Sequence, residues 1–565
     1  MMKKTNLYIA LLSVFTMINI IGCDDYLEEV NFSRIQKQEV FKSIEGADAA
    51  VLGVYSLLSE SGPGLPGNLF GANGTWFRGN NWMSSCNNDE QLLEPDPNFN
   101  SPAWITLSSL SYTSTNIQIT STWIGLYQGI FRANAVLNNI DNIIDESPEL
   151  IASLKGEARF MRGFYYFYLM TYYGGVPIVN QETRDNTITR SSVEDVAALI
   201  EADWLYAQEN IIDEKMNHNG RAGQLTATAY LAKLHLYLAS AKESKVYNGI
   251  EPFPLNSFNW VDDKEHYNKA KDYADKVYDS DSYSLVDNYG MLFVKAGSEE
   301  QRDEFIFNIQ TNAQNGVRYS RSAVTLGSNG LGGGQGLLRP NVHMYDLYFE
   351  GDTRREANLS GGKLKEKNGV ESLNGMKYIK VTPVKPKNLD KNNSIFVNKY
   401  RNPAFDLGEL KENTNTVLDT NIPLLRYADL LLIRAEAHYK VKASRAGIPN
   451  EMLSEVRQRS FHKKVDIDDV NDHYLKDDFM EELLEERSRE LAFEGWRRID
   501  LFRTNKYEDR IEAIDDSDKT PSNLLPRLSQ IQLNYADYKM WYPIPQRALE
   551  LSPNIIQNPG YLDNN

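Results

Sequence analysis

The chain has 565 residues, 41% hydrophobic and 24% charged, a globular composition that excludes a largely disordered polypeptide. Sixty basic side chains against 77 acidic ones leave a formal charge of −17, so the overall field repels phosphate backbones and argues against a nucleic-acid partner. Two cysteines exclude a disulfide framework, while 32 Tyr, 22 Phe and 8 Trp point to an aromatic core or surface.

At the front, Lys3 and Lys4 precede an apolar run from Leu7 to Ile21, too short to span a bilayer comfortably and of the length of a signal-peptide core. It ends in Ile20-Ile21-Gly22-Cys23, which resembles the lipobox of bacterial lipoproteins, with Ile20 where that motif prefers Leu. The resemblance implies that residues 1–22 are a signal peptide and that Cys23 is acylated, tethering the mature chain to a membrane. Loss of Lys3 and Lys4 would leave a charge of about −19. Asp24-Asp25 and Glu28-Glu29 come directly after the cysteine. That run resembles the signal that sends Bacteroidetes lipoproteins to the outer face of the outer membrane; on charge alone it is a solvated tether.

Helical periodicity dominates the rest of the chain. From Glu157 to Tyr173, Ala158, Met161, Tyr165, Tyr168 and Tyr172 recur at intervals of three and four, and Phe160, Phe164 and Phe167 widen the stripe, so this helix is buried on most sides. Gly174-Gly175 and Pro177 stop it. A second helix runs from Gln224 to about Ala241. Its partner, Tyr267 to Tyr278, carries Ala270, Ala274 and Val277, and that small-residue spacing is similar to tetratricopeptide repeats. Leu424 to Lys440 repeats the pattern. The last long helix is expected from Phe479 to about Phe502, laced by Glu485–Arg489 and Glu494–Arg498 pairs worth roughly 0.3 kcal/mol each. Strand signals are confined to Phe305–Gln310 and Lys377–Thr382.

Long irregular excursions separate the helices: Gly62 to about Thr122, Asn312 to Arg339, and Gly361 to Asp419. Such lengths of loop are usually functional in a compact fold. Chemistry motifs are missing from them. Gly62-Pro-Gly64-Leu-Pro-Gly67 has the glycine spacing of a dinucleotide loop, but its prolines remove amide donors and no strand and helix flank it. The glycines from Gly330 to Gly336 lack a following Gly-Lys-Ser/Thr. There is no His-Glu-x-x-His, Cys-x-x-Cys or Gly-x-Ser-x-Gly, so no catalytic residue, metal or cofactor is assigned. Cys86, alone after export, is expected to be an inert buried thiol.

The aromatics of the first excursion stand out instead. Trp76, Phe77, Trp82 and Trp104 are interleaved with Arg78, Asn80, Asn81, Asn87, Asn88, Asp89 and Glu90. Flat rings cover the C–H face of a sugar, and amide, carboxylate and guanidinium groups satisfy its hydroxyls. About 60 Å² buried per ring gives roughly 1.5 kcal/mol, which suits weak, reversible capture of an oligomer. The candidate ligand-binding residues are Trp76, Arg78, Trp82, Asp89 and Trp104, with Arg318, Tyr319 and Arg321 from the second excursion. Trp123, Trp204 and Trp496 lie on helical stretches and are expected in the core.

Ordered blocks run along the chain: Ala50 to Tyr55, Trp123 to Tyr127 with Ile130 and Asn134, and GEARFMRGFYYFYLMTYYGGVPIV from Gly156 to Val179. LTATAYLAKLHLYLA from Leu225, YDLYFEGDTRR from Tyr345, PLLRYADLLLIRAEA from Pro423, EERSRELAFEGWRRIDLFR from Glu485 and WYPIPQRALELSPNIIQNPGY from Trp541 come next, in that order. Through these blocks, most specifically Gly156 to Val179, the chain resembles over nearly its full length the SusD/RagB family of Bacteroidetes outer-membrane lipoproteins.

The resemblance implies a mostly α fold: a tetratricopeptide-like helical-repeat scaffold of about four helix pairs, with long irregular loops and a few short strands. It implies an N-terminal part, 23–230, and a C-terminal part, 231–565, intertwined as one globular unit. It also implies no enzymatic activity: such proteins capture oligosaccharides at the cell surface and deliver them to a SusC-type TonB-dependent transporter in the outer membrane. The competing class is a peptide- or protein-binding surface lipoprotein of the RagB kind, docking its ligand along the helical concave face instead.

Overall fold

The computed structural model describes residues 40–58, 83–94, 101–143, 147–180, 186–212, 220–245, 253–293, 299–310, 337–361, 370–373, 376–379, 395–400, 421–461, 465–514 and 524–561. Its helices succeed one another as packed neighbours. α1 (Ile44–Tyr55) is capped by the Ser43 hydroxyl, which accepts from the Gly46 amide. α2 (Pro102–Ser108) leads into α3 (Ile117–Leu137), whose first turn is satisfied by the Asn116 side chain. α4 (Pro148–Tyr173) begins on a proline, whose missing amide costs nothing there. α5 (Val193–Asn210) opens on a capping box of Ser192 and Asp195. α6 (Gln224–Ser244) and α7 (Asp263–Tyr278) complete the front half. α3 packs on α4, α4 on α5, α5 on α6 and α6 on α7.

The back half adds α8 (Glu299–Glu304), α9 (Val342–Asp346), α10 (Thr353–Asn358), α11 (Tyr427–Lys442), α12 (Ile448–Ser460) and α13 (Ile467–Tyr474). It ends with α14 (Phe479–Glu490), α15 (Arg497–Arg503), α16 (Tyr507–Ala513), α17 (Leu525–Asn534) and α18 (Gln546–Leu551). α7 packs on α11 and α11 on α12, so the series continues across the middle of the chain. One contiguous apolar cluster runs from Phe41 to Ile555. The mostly helical, tetratricopeptide-like scaffold expected from the sequence is what the structure shows.

Close approach of helices is set by glycine. At Gly163 on α4 a Cβ would sit 2.7 Å from Trp204 Nε1 of α5, so only a bare backbone lets the indole lie flat there. The indole N–H donates to the Phe160 carbonyl at 3.1 Å. Around this point Phe160, Phe164, Tyr230 and Phe307 meet edge to face. Trp123, Trp204 and Trp496 are all buried, as their helical setting predicts.

Two helix expectations need correction. Leu424 and Leu425 do not open a helix; they lie in a strand, Ile422–Arg426, and α11 starts at Tyr427. The expected helix from Phe479 to Phe502 is two helices, because Phe493 and Gly495 adopt φ of 64° and 86° and break the spiral between α14 and α15. Glu485 does face Arg489 at 3.8 Å, but Glu494 turns away from Arg498 to Lys399 and Arg426.

The interior is also densely ionic. Arg426 pairs with Glu304, Glu490 and Glu494; Arg354 with Asp352, Glu486 and Glu490; Arg457 with Glu482 and Glu486. Burial alone would raise the Glu486 carboxyl, but Arg489, Arg354 and Arg457 hold it well below its ordinary range. The C-terminal segment closes the front half: the Tyr542 amide donates to the Tyr172 carbonyl at 2.7 Å, and Arg190 donates to Asn558 Oδ1 at 2.8 Å and to the Ile556 carbonyl at 3.0 Å.

Candidate functional site at the roots of the loops

The first excursion is less irregular than expected, being helical at α2 and again from Ile117, and short strands occur in and beside all three. β1 (Gln91–Leu93), inside the first excursion, pairs antiparallel with β3 (Leu338–Pro340), which ends the second, in the register Gln91 to Pro340 and Leu93 to Leu338. β2 (Phe305–Ile309), which leads into the second, pairs with β8 (Ile422–Arg426), which succeeds the third; Ile309 lies opposite Ile422. β4 (Leu359–Ser360), which leads into the third, pairs with β7 (Phe396–Val397) inside it. β5 (Val370–Leu373) and β6 (Met376–Ile379) form a hairpin within the same excursion; of the expected strand Lys377–Thr382, residues 380–382 lie outside the described residues. Tyr55, at the end of α1 where the first excursion begins, meets Phe307 of β2 edge to face at 6.4 Å. The β1–β3 and β2–β8 ladders therefore tie separate excursions to one another, while β4–β7 and β5–β6 fold the third onto itself.

Side chains complete the junction. Arg339 Nε donates to Glu94 Oε2 at 2.6 Å, and its guanidinium lies 3.7 Å from the centre of the Phe396 ring. Burial draws this guanidinium below its ordinary pKa, with Glu94 opposing. Lys399, just after β7, donates to Tyr289 Oη at 2.8 Å, to the Ala492 carbonyl at 2.8 Å and to Glu494 at 2.6 Å. Its ammonium lies 4.3 Å from the Phe293 ring centre, and burial pulls its pKa down to about 8. Phe293 in turn meets Tyr400 edge to face at 5.5 Å.

The candidate ligand residues divide sharply. Trp76, Arg78, Trp82, Arg318, Tyr319 and Arg321, and the lipidation candidate Cys23, lie outside the described residues. Asp89 and Trp104 are corrections. Asp89 is 1% exposed and accepts from Arg497 Nε at 2.7 Å. Burial would raise its carboxyl, but Arg497 outweighs that and holds it below its ordinary value, so Asp89 is an internal ion-pair partner and not a ligand group. Trp104, on α2, is buried in the main apolar cluster and offers no open ring. Its neighbours on the next turn, Leu107 and Ser108, are buried as well.

Beside Asp89, Glu90 accepts from the Phe493 amide at 3.1 Å and from Ser488 Oγ at 3.2 Å, and burial pushes its pKa up to about 8. Cys86 is a buried thiol that burial pushes up to about 12, which makes it a poor nucleophile. Among the described residues no group of His, Cys, Asp and Glu has the arrangement of a metal site, and no helix is long and apolar enough to cross a membrane. The sequence did not single out Glu94, Arg339 or Phe396; the available signal was that Arg339 is the residue at which the second excursion ends.

Comparison with known proteins agrees with this architecture. Residues 303–561 match the model of the SusD family, and residues 77–236 match one described as starch-binding associating with outer membrane. SusD-like protein P25 of Formosa agariphila is 23% identical, the match covering 97% of this chain and 98% of that one. A SusD homolog of Bacteroides thetaiotaomicron superposes with a TM-score of 0.70 at 21% identity, over 93% of this chain and 99% of its own. A laminarin binding SusD-like protein gives 0.64 at 22% identity, over 92% and 99%. From its end-to-end helical scaffold to its matched blocks, the chain belongs to the SusD-like family.

Proposed function

We propose that this chain is a cell-surface lipoprotein that captures oligosaccharides without cleaving them and delivers them to a SusC-type TonB-dependent transporter. Membership in a glycan-binding family supports the ligand class. The observation that carries the assignment to these loops is the joining of their roots: β1 with β3, β2 with β8, and Arg339 between Glu94 and Phe396. One ladder joins the first excursion to the second and another joins the flanks of the second and third, which would let loops of different sequence serve one extended, polyhydroxylated ligand. Trp76 and Trp82 are proposed as its stacking platforms, with Arg78, Arg318, Tyr319 and Arg321 as polar partners. Anchoring through Cys23, facing outward, is proposed with it; the description of the matched front-half family, associating with the outer membrane, supports the compartment.

The test is affinity electrophoresis of the mature chain through gels containing soluble starch, laminarin and a panel of plant, fungal and host polysaccharides. Retardation that weakens in Trp76→Ala and Trp82→Ala, with an unchanged unfolding midpoint, supports the assignment. Release of reducing sugar on incubation would overturn the non-enzymatic part. Retention unaffected by both substitutions would overturn the site.

A further inference from the structure

Two histidines meet inside the front half of the scaffold. His235 of α6 and His266 of α7 approach through their Nδ1 atoms at 3.0 Å, with ring centres 5.0 Å apart. His235 is fully buried and His266 is 7% exposed, so little water reaches the contact. Two ring nitrogens can share a hydrogen bond only if one carries the proton and the other offers a lone pair. That condition holds when both rings are neutral, in complementary tautomers, and when the pair has taken up a single extra proton. It fails when both are imidazolium, because two N–H groups and two like charges then face each other across 3.0 Å.

The charges around the pair do not relieve that conflict. Glu201 of α5 lies 3.4 Å from His235 Nε2 and is shared with Lys269 of α7 at the same distance. Glu201 is itself partly open to solvent, which screens its attraction, and Lys269 pairs with Glu265 at 3.0 Å. Glu243 of α6 accepts from Tyr267 Oη at 2.6 Å and is paired with Lys440. Arg434 and His438 of α11 are engaged with Asp275, near the far end of α7. Neutral rings complete the setting: Tyr273 stacks on His235 at 5.6 Å, and Trp260 meets His266 at 5.9 Å. Burial, and after it the charge of His235, draws the His266 pKa from 6.5 down to about 4.

We propose that the His235–His266 contact is an acid-sensitive joint of the scaffold, in which a second proton on the pair parts the first turns of α7 from α6. The joint needs no ligand and stands apart from the function proposed above. Folding excludes the second proton, so the stability that the joint supplies is present above about pH 6.5 and is lost as pH falls through about 4.

Urea unfolding of the mature chain between about pH 7 and about pH 4 tests it, with His266→Gln measured alongside so that the other titrating groups cancel. Across that range the unfolding constant of the unmodified chain is expected to rise on the order of a hundredfold relative to that of the variant. A double-mutant cycle with His235→Gln separates the pair from the burial of one ring: the coupling between the two positions should be favourable near neutral pH and turn unfavourable near pH 4. A coupling that does not change with pH overturns the joint, even where His266→Gln alone alters the profile. Amide hydrogen exchange of the unmodified chain, corrected for its intrinsic pH dependence, requires no variant. The His266 amide, which donates to the Asp262 carbonyl at 3.0 Å, is expected to lose protection about tenfold or more over the same range while amides throughout α4 stay slow. Constant protection at His266, or equal loss in α4 and α7, overturns the local parting.

Discussion

The ammonium of Lys233 on α6 lies 3.4 Å from the centre of the Trp496 ring and is paired with Asp429 of α11. Burial draws its pKa down to about 8. Asp429 is shared with Arg487 at 2.8 Å, which also reaches Asp500, and Asp500 reaches Arg503. A helix of the front half is thus joined to three elements of the back half by charge as well as by apolar contact. Such a network adds little net energy over an apolar core but makes the loss of one member costly.

Lys233→Met is expected to lower unfolding free energy by about 3 kcal/mol, because it removes the cation from the ring and takes one of the two cations away from Asp429. Guanidinium unfolding followed by tryptophan fluorescence checks it. Unchanged stability would show that the pair contributes nothing.

Arg497→Leu strands the Asp89 carboxylate in the interior and is expected to cost about 3–5 kcal/mol. Asp89→Asn in the same background should restore part of that loss, as a double-mutant cycle registers for groups that share one ion pair. If Asp89→Asn alone abolished polysaccharide retention without changing stability, Asp89 would be a ligand group and not an internal partner of Arg497.

Glu90 provides a pH signature. Its folded pKa of about 8 stands above its ordinary 4.5, so folding takes up a proton. Its contribution to stability is present below about pH 4.5 and lost as pH rises through about 8. Glu90→Gln should therefore gain on the natural chain between about pH 5 and about pH 9, with the difference growing along the way. Urea unfolding across that range measures it; a constant difference would refute the linkage.

Gly163→Ala introduces a methyl 2.7 Å from Trp204 Nε1. Overpacking of about 2 kcal/mol is expected, with a shifted indole emission. An unaltered melting curve would mean that α4 and α5 separate easily.

The helices were legible because their information is local. The spacing of Met161, Tyr165, Tyr168 and Tyr172 marks α4 without any knowledge of partners, and the same holds for α6 and α7. What sequence could not supply was partner choice across hundreds of residues. Glu494 and Arg498 stand at helical spacing, yet Glu494 is drawn to Lys399 and Arg426. Asp89 sits among residues suited to a sugar, yet Arg497 claims it. Trp104 has the composition of a platform and the burial of a core residue. The strand at Ile422–Arg426 was missed for the same reason, since its leucines are equally suited to a helix and only pairing with β2 decides. The junction at Arg339 needed two long-range contacts, with Glu94 and Phe396, that no local pattern encodes.

The final stretch of the chain, from Trp541 to Tyr561, is what seals its beginning: Tyr542 bonds back to Tyr172 and also donates to the Met83 carbonyl, while Asn558 caps the Tyr173 carbonyl at 3.0 Å. Without those residues the Tyr172 and Tyr173 carbonyls, at the last turn of α4, lose these donors. Deleting this stretch is therefore expected to destabilise the end of α4, although no residue of α4 is itself changed.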